Sequence, residues 1–308
     1  MSSGRHKKRV KEKRGLFPTR RSALALTLLP LLVGIAVSLL YLYPDETSKV
    51  KSPENTFSVQ QENEKKLVAS LKEEESAGRI LDSESIKGKI CLVLDDVGYE
   101  KERAEHFINE GIPVTVAILP GGNYSRRIAK LAKRNGLAVL LHMPMAPEKK
   151  VSDMSDKYIL SVGMSEKLIA SRLNRARAWV PGMVGISNHM GSRFTSDPGG
   201  MKIVAAYLKK QGLYFLDSRT TPRSVAAFVC RVTGVPYLER DVFIDNDHDA
   251  QKIREQFERL KNIASGRGYS IGILHPGKIV TGMIGELMRS ALLQGYRFVT
   301  LNEIIEEM

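Results

Sequence analysis

Two adjacent carboxylates, Asp95 and Asp96, close the run Ile90–Gly98 (ICLVLDDVG), and three of the six histidines in the chain occupy comparable places. His142 follows LAVLL, His189 follows MVGISN and His275 follows SIGIL, while Asp217 follows LYFL and Asp245 follows VFI. Carboxylate and neutral imidazole are ligands that zinc accepts, and three protein ligands leave a position open for water. Two neighbouring aspartates can divide the labour, one holding a metal and the other taking a proton from the water activated there. That is hydrolytic chemistry. The competing reading makes one aspartate a helix cap and the other a solvated side chain, and from the run alone the two readings stand level. What tips the balance is whether parallel strands deliver all these residues to one rim.

The elements that would do so alternate. Short apolar runs at Ile90–Leu94, Val114–Leu119, Leu137–Leu141, Met183–Ser187, Leu213–Leu216, Tyr269–Leu274 and Arg297–Val299 read as strands, and Tyr237–Ile244 as extended. Between them, Glu100–Asn109, Tyr124–Arg134, Glu166–Trp179, Gly199–Gln211, Pro222–Cys230, Ala250–Ser265 and Gly282–Gln294 read as helices, with a longer excursion over Met143–Val162. Strand and helix in strict alternation predict parallel strands linked by crossover helices. The fold class is α/β, and about seven strands fit a (β/α) barrel, seven-stranded or incomplete. Pro120-Gly121-Gly122 lacks the spacing and the lysine of a phosphate loop, so a nucleotide cofactor has little support.

The segments Leu94-Asp95-Asp96-Val97-Gly98, Leu141-His142-Met143-Pro144-Met145, Asn188-His189-Met190-Gly191-Ser192, Phe215-Leu216-Asp217-Ser218-Arg219-Thr220 and Leu274-His275-Pro276-Gly277 resemble the divergent polysaccharide deacetylases. These form a branch of the glycoside hydrolase/deacetylase β/α-barrel superfamily. The resemblance runs from about Lys87 to the C-terminus. It implies a divalent metal, expected to be Zn2+, held by Asp96, His142 and His189, with Asp95 as catalytic base and His275 as the acid that protonates the leaving amine. The implied activity is deacetylation of an N-acetylated envelope polysaccharide. Ordinary members of the superfamily place two metal histidines four residues apart, whereas Ala146 stands four after His142, so the second imidazole is assigned to His189. Their arginine-proline-tyrosine and aspartate-tryptophan motifs have no clear match, and Trp179, the only tryptophan, falls in a helix. The departures keep a second reading open, a barrel without turnover that binds glycan or an envelope protein.

Smaller expectations attach to four further residues in substrate binding or in support of the site. Asp217 and Arg219 form either a rim ion pair or a cap on the next helix. Asp245 either contacts substrate or belongs to a solvated turn. Arg193 either neutralises an oxyanion or makes a surface ion pair.

The chain of 308 residues carries a net charge of +13, which spread over a folded face would point to nucleic acid. It is concentrated instead: nine Lys/Arg against Glu12 in residues 1–21 supply +8 and leave +5 for the rest. Residues 23–43 follow, 21 without a charge, long enough for a helix to cross a hydrocarbon core of ~30 Å. The division expected is a basic cytoplasmic arm at 1–22, a transmembrane anchor at 23–43, a polar tether at 44–86 and the barrel domain at 87–308, outside the cytoplasm. LYLYPDE offers no small-x-small cleavage site, so the anchor is read as uncleaved rather than as a signal peptide or a twin-arginine signal. Membrane orientation accounts for the basic arm, and nucleic-acid binding is not expected. Cys91 and Cys230 do not make a disulfide framework, and Cys91 reads as a small core residue.

Overall fold

The computed structural model describes residues 86–109, 113–149 and 157–308. The expected arm, anchor and most of the tether lie outside the described residues, among which no helix is long and apolar enough to cross a membrane.

The strands are β1 (Gly88–Val97), β2 (Val114–Ile118), β3 (Val139–Met145), β4 (Gly185–Met190), β5 (Tyr214–Asp217), β6 (Tyr237–Glu239), β7 (Val242–Phe243), β8 (Tyr269–Leu274) and β9 (Tyr296–Phe298). The helices are α1 (Glu102–Asn109), α2 (Ser125–Arg134), α3 (Glu166–Arg177), α4 (Pro198–Gln211), α5 (Ala226–Thr233), α6 (Ala250–Arg267), α7 (Lys278–Leu293) and α8 (Leu301–Glu306). Every strand pair is parallel, in the order β6-β5-β4-β3-β2-β1-β8-β7, with β9 against the start of β1. The two ends of that order, β6 and β7, are separated in sequence only by Arg240 and Asp241, so the sheet has to curl round on itself. Arg240 N–H donates to Asp217 O on the β5 side and Asp241 N–H to Ile271 O on the β8 side. One extended run thus passes from β5 to β8, and the expected (β/α)-barrel curl is present.

Period two decides what fills it. Along β1, Ile90, Leu92 and Leu94 pack outward into the layer between sheet and helices, while Cys91 and Val93 pack inward with Ala117, Leu140, Leu216, Leu238, Ile271 and Ile273. The inner cluster is closed at the N-terminal end of the strands by Leu301 and Ile304 of α8. The sequence reading missed this helix. It is six residues long and is held by a capping box between Thr300 and Glu303. Cys91 and Cys230 are both buried and free.

Helix ends follow local chemistry. Asp197 caps α4 by accepting from Gly200 N–H, Pro198 sits at its first turn, and Gly212 ends it at φ 64°. Two helix starts differ from expectation by four residues: α5 begins at Ala226 rather than Pro222, and α7 at Lys278 rather than Gly282. At Gly88 a Cβ would stand 2.5 Å from the Ala264 carbonyl oxygen of α6. Gly88→Ala is therefore expected to lower stability by about 1–3 kcal/mol, the range for overpacking, as read from urea unfolding.

Candidate metal centre

The site is the next inward layer of the barrel. Inward parity passes from Cys91 and Val93 to Asp95, from Leu140 to His142, from Ser187 to His189, from Tyr214 and Leu216 to Ser218, and from Ile271 and Ile273 to His275. Apolar side chains give way to polar ones at the same end of each strand, the end where the loops open. The strands run further than expected. His142, His189, Asp95 and Asp96 belong to the last residues of β3, β4 and β1, because β3 and β4 stay paired from Leu140–Gly185 to Met145–Met190. Neither aspartate caps a helix, since α1 starts at Glu102.

Asp96 breaks the parity. It follows inward-facing Asp95 and would point outward, but its φ of 58° and a break in the β1–β2 register between Leu94 and Val97 turn it to the rim. Its Oδ1 comes to 2.8 Å from His189 Nδ1 and 3.1 Å from His142 Nε2. His275 Nε2 lies 3.8 Å from Asp96 Oδ2, and Asp95 Oδ2 lies 3.6 Å from His142 Nε2. These residues, with Asn188, Met190, Ser218, Thr220 and Phe243, line a cavity of about 230 Å³.

Two of the three imidazoles are held from behind. His142 Nδ1 is 2.7 Å from Ser187 Oγ, which leaves Nε2 for the cavity. Asp245, expected at a substrate or in a solvated turn, is buried rather than solvated. Its carboxylate accepts from His275 N–H at 2.7 Å and lies 3.1 Å from His275 Nδ1. Phe243 stacks on the His275 ring, and the Arg240 guanidinium lies 3.8 Å above the Phe243 centroid. Arg240 also donates to Ser218 O and Arg219 O, and the Asn188 amide joins the ends of β4 and β5 by donating to Met190 O and accepting from Ser218 N–H.

The other expectations resolve differently. Asp217 and Arg219 do not pair: Arg219 Nε faces Glu239 at 3.6 Å, while buried Asp217 accepts from Ser224 Oγ and from Arg219 N–H. Arg219 adopts φ 51°, so its backbone turns back onto Asp217 and its side chain leaves in another direction. Arg193 is exposed and does not line the cavity; its N–H, like that of Phe194, donates to Ala146 O. Ala146 packs against the outer core and takes no place at the site. Ser187, Asn188, Ser218, Arg240 and Phe243 were missed. For Ser187 and Ser218 the signal was available, as both continue the inward parity of their strands.

Electrostatics separate the two carboxylates. Burial raises Asp95, with Asp96 adding to the rise and His142 opposing it. Burial would raise Asp96 as well, but the His142 and His189 imidazoles outweigh it and hold the carboxyl below the usual range. His142 is raised because Asp95 and Asp96 overcome its burial. His275 is raised to about 9: burial opposes, and Asp245 leads the groups that favour the charged ring. Asp245→Asn is accordingly expected to move His275 of the metal-free protein from about 9 down toward its ordinary 6.5, as followed by imidazole NMR.

Asp96, His142 and His189 each offer one ligand atom, and the three atoms lie within 4.8 Å of one another. Asp96 Oδ1 and Asp95 Oδ1 are buried without an aligned hydrogen bond, so the close approaches to imidazole nitrogen leave both oxygens unsatisfied. Two imidazoles and a carboxylate of this kind fit a divalent metal of the zinc type.

Fold and rim together define a parallel α/β protein of the (β/α)-barrel class with an Asp/His centre at the C-terminal ends of its strands. The profile of the divergent polysaccharide deacetylases matches residues 92–305, and the chain belongs to that family. It is 38% identical over 200 residues to an uncharacterized protein of Escherichia coli strain K12, covering 64% of this chain and 61% of that one. A second uncharacterized protein, from Haemophilus influenzae, is 35% identical over 192 residues, covering 62% of this chain and 67% of that one. The match thus spans about three-fifths of the Escherichia coli relative. The crystal structure of an uncharacterized protein from Agrobacterium tumefaciens C58 has a TM-score of 0.67 at 22% identity, covering 72% of this chain and 93% of that one, a likeness of fold.

Proposed function

We propose that the chain is a membrane-anchored, metal-dependent hydrolase that removes acetyl groups from an N-acetylated envelope polysaccharide. The observation that carries the reading is the convergence of Asp96, His142 and His189 beside buried Asp95, with His275 across the same cavity. Asp96 Oδ1, His142 Nε2 and His189 Nδ1 would hold the metal. A metal bound there supplies Lewis acidity toward the amide carbonyl and makes water more acidic. Asp95 accepts the proton of the attacking water, and its burial suits a base working closer to neutral pH than a solvated carboxylate. A carbon–oxygen bond forms, the carbon–nitrogen bond breaks, and His275, kept protonated by Asp245, gives its proton to the departing amine. Acetate and a free amino sugar result. Ser187 and Asp245 keep the two rings in register, and Phe243 walls the cavity behind His275.

Localisation follows from the sequence: residues 1–22 in the cytoplasm, 23–43 in the membrane and the barrel outside. The purified chain in detergent, loaded with zinc, is expected to release acetate from chito-oligosaccharides or peptidoglycan fragments and to stop when chelator is added. Absence of release from both substrates, with metal shown bound, would remove the catalytic reading in favour of a glycan-binding module. Protease added outside spheroplasts should digest the barrel and spare the arm.

A further inference from the structure

The end of the barrel opposite the metal centre carries a charge pattern that the chemistry does not use. Helices α2 to α5 each lead into the N-terminal end of a strand, so their last turns share that end. Lys133 and Arg134 finish α2, Arg175 and Arg177 finish α3, Lys209 and Lys210 finish α4, and Arg231 falls in the last turn of α5. All seven are exposed, and none is in an ion pair among the described residues. The segments that form this sector, residues 133–137, 174–183, 208–213 and 230–236, contain no Asp or Glu.

The sector is contiguous. The Lys133 side chain lies over Gly182 in the α3–β4 connection, Arg177 donates to Gln211 at the end of α4, and Lys209 reaches toward Gly234 at the end of α5. A single cation in the last turn is accounted for by the helix dipole. The dipole does not explain why most cations in the other sector of this same end are paired. There Lys89 meets Glu307, Arg267 meets Asp241 and Arg297 meets Glu303. Exposed apolar side chains stand in this sector too, with Val232 at 68% and Phe228, whose ring lies under Arg231, at 58%. Cations beside exposed apolar and aromatic groups are the composition of a surface that lies on lipid headgroups.

We infer that this basic sector rests on an anionic phospholipid surface. The inference builds on the anchored reading above. β1 starts at Gly88 on this same end, so the preceding chain enters the barrel here. Seating this end on lipid directs the metal centre away from the membrane, toward polysaccharide. The attraction is electrostatic and fades within a Debye length as salt rises.

The test uses the full chain in vesicles of phosphatidylcholine, or of phosphatidylcholine mixed equally with phosphatidylglycerol. A brief acetylation pulse is read lysine by lysine by mass spectrometry. Lys133, Lys209 and Lys210 are expected to be labelled several-fold more slowly on the anionic vesicles. High salt should abolish the difference, and Lys167, exposed at the opposite end of α3, should be labelled alike on both. The triple variant Arg134→Glu, Arg175→Glu, Arg177→Glu should lose the protection of Lys209 and Lys210. Equal labelling of these lysines on the two vesicles overturns the inference, as does stronger protection by added duplex DNA on phosphatidylcholine alone. Retention on phosphatidylcholine through an alkaline wash reports the anchor separately, so loss of one result is distinguishable from loss of the other.

Discussion

His142→Ala is expected to lower zinc affinity by at least about 100-fold, beyond the 10–100-fold typical of losing a group that merely orients a ligand. The ring is buried, its Nδ1 is engaged by Ser187, and its Nε2 is 3.1 Å from Asp96 and 3.6 Å from Asp95. Removing it takes away one of three converging donors and the imidazole that lies within 4 Å of both carboxylates. Asp96 is held low partly by His142, so its carboxyl should rise in the variant. The sign for stability follows. A depressed carboxylate contributes stability above its unfolded value of 3.8 that is lost as pH falls through the folded value, and the variant should lose this acid resistance. Ser187→Ala should cost less, about 10–100-fold in affinity, because the ring stays and only its tautomer is released. Competition against a chromophoric chelator measures both, with circular dichroism as the check on fold. Unchanged affinity in His142→Ala would remove the metal assignment.

Much of this was legible because the barrel interior obeys a period of two. Alternation in ICLVL places Cys91 and Val93 inside, and the same count carries Asp95 inward. Equivalent counts along β3, β4 and β8 deliver His142, His189 and His275. What local patterns did not show depends on departures from that count or on contacts between distant segments. Asp96 reaches the rim only through a left-handed backbone conformation and a register break, neither of which a Val or Leu neighbour announces. Asp245 looked like part of a polar turn because IDNDHD is polar throughout, yet its partner is His275, thirty residues on. The Asp217–Arg219 pair failed for a local reason, as residues two apart in a tight turn diverge, and Arg219 found Glu239 instead. Helix α8 was too short to show a periodicity, although its capping box could be found in the sequence.

Asp95→Asn separates turnover from binding. General base catalysis contributes about 10²–10⁴ in rate, and acetate release should fall by that factor while zinc affinity stays within a few-fold, since Asp95 is not among the three converging ligands. The stability change should have the opposite sign to that of an ordinary core substitution. Asp95 is raised by burial, so ionising it favours the unfolded chain, and the folded state loses stability as pH rises through the folded value. Asparagine carries no charge to desolvate and nearly the same volume. The metal-free variant should therefore melt at or above the wild-type temperature at neutral pH, the pattern of a site that gives up stability for chemistry. The buried Asp95 Oδ1 without a hydrogen-bond partner points the same way. A variant that binds zinc, melts no lower and releases no acetate would assign the base to Asp95. Full cellular function in that variant would instead leave the barrel a binding module, with the metal holding its rim in shape.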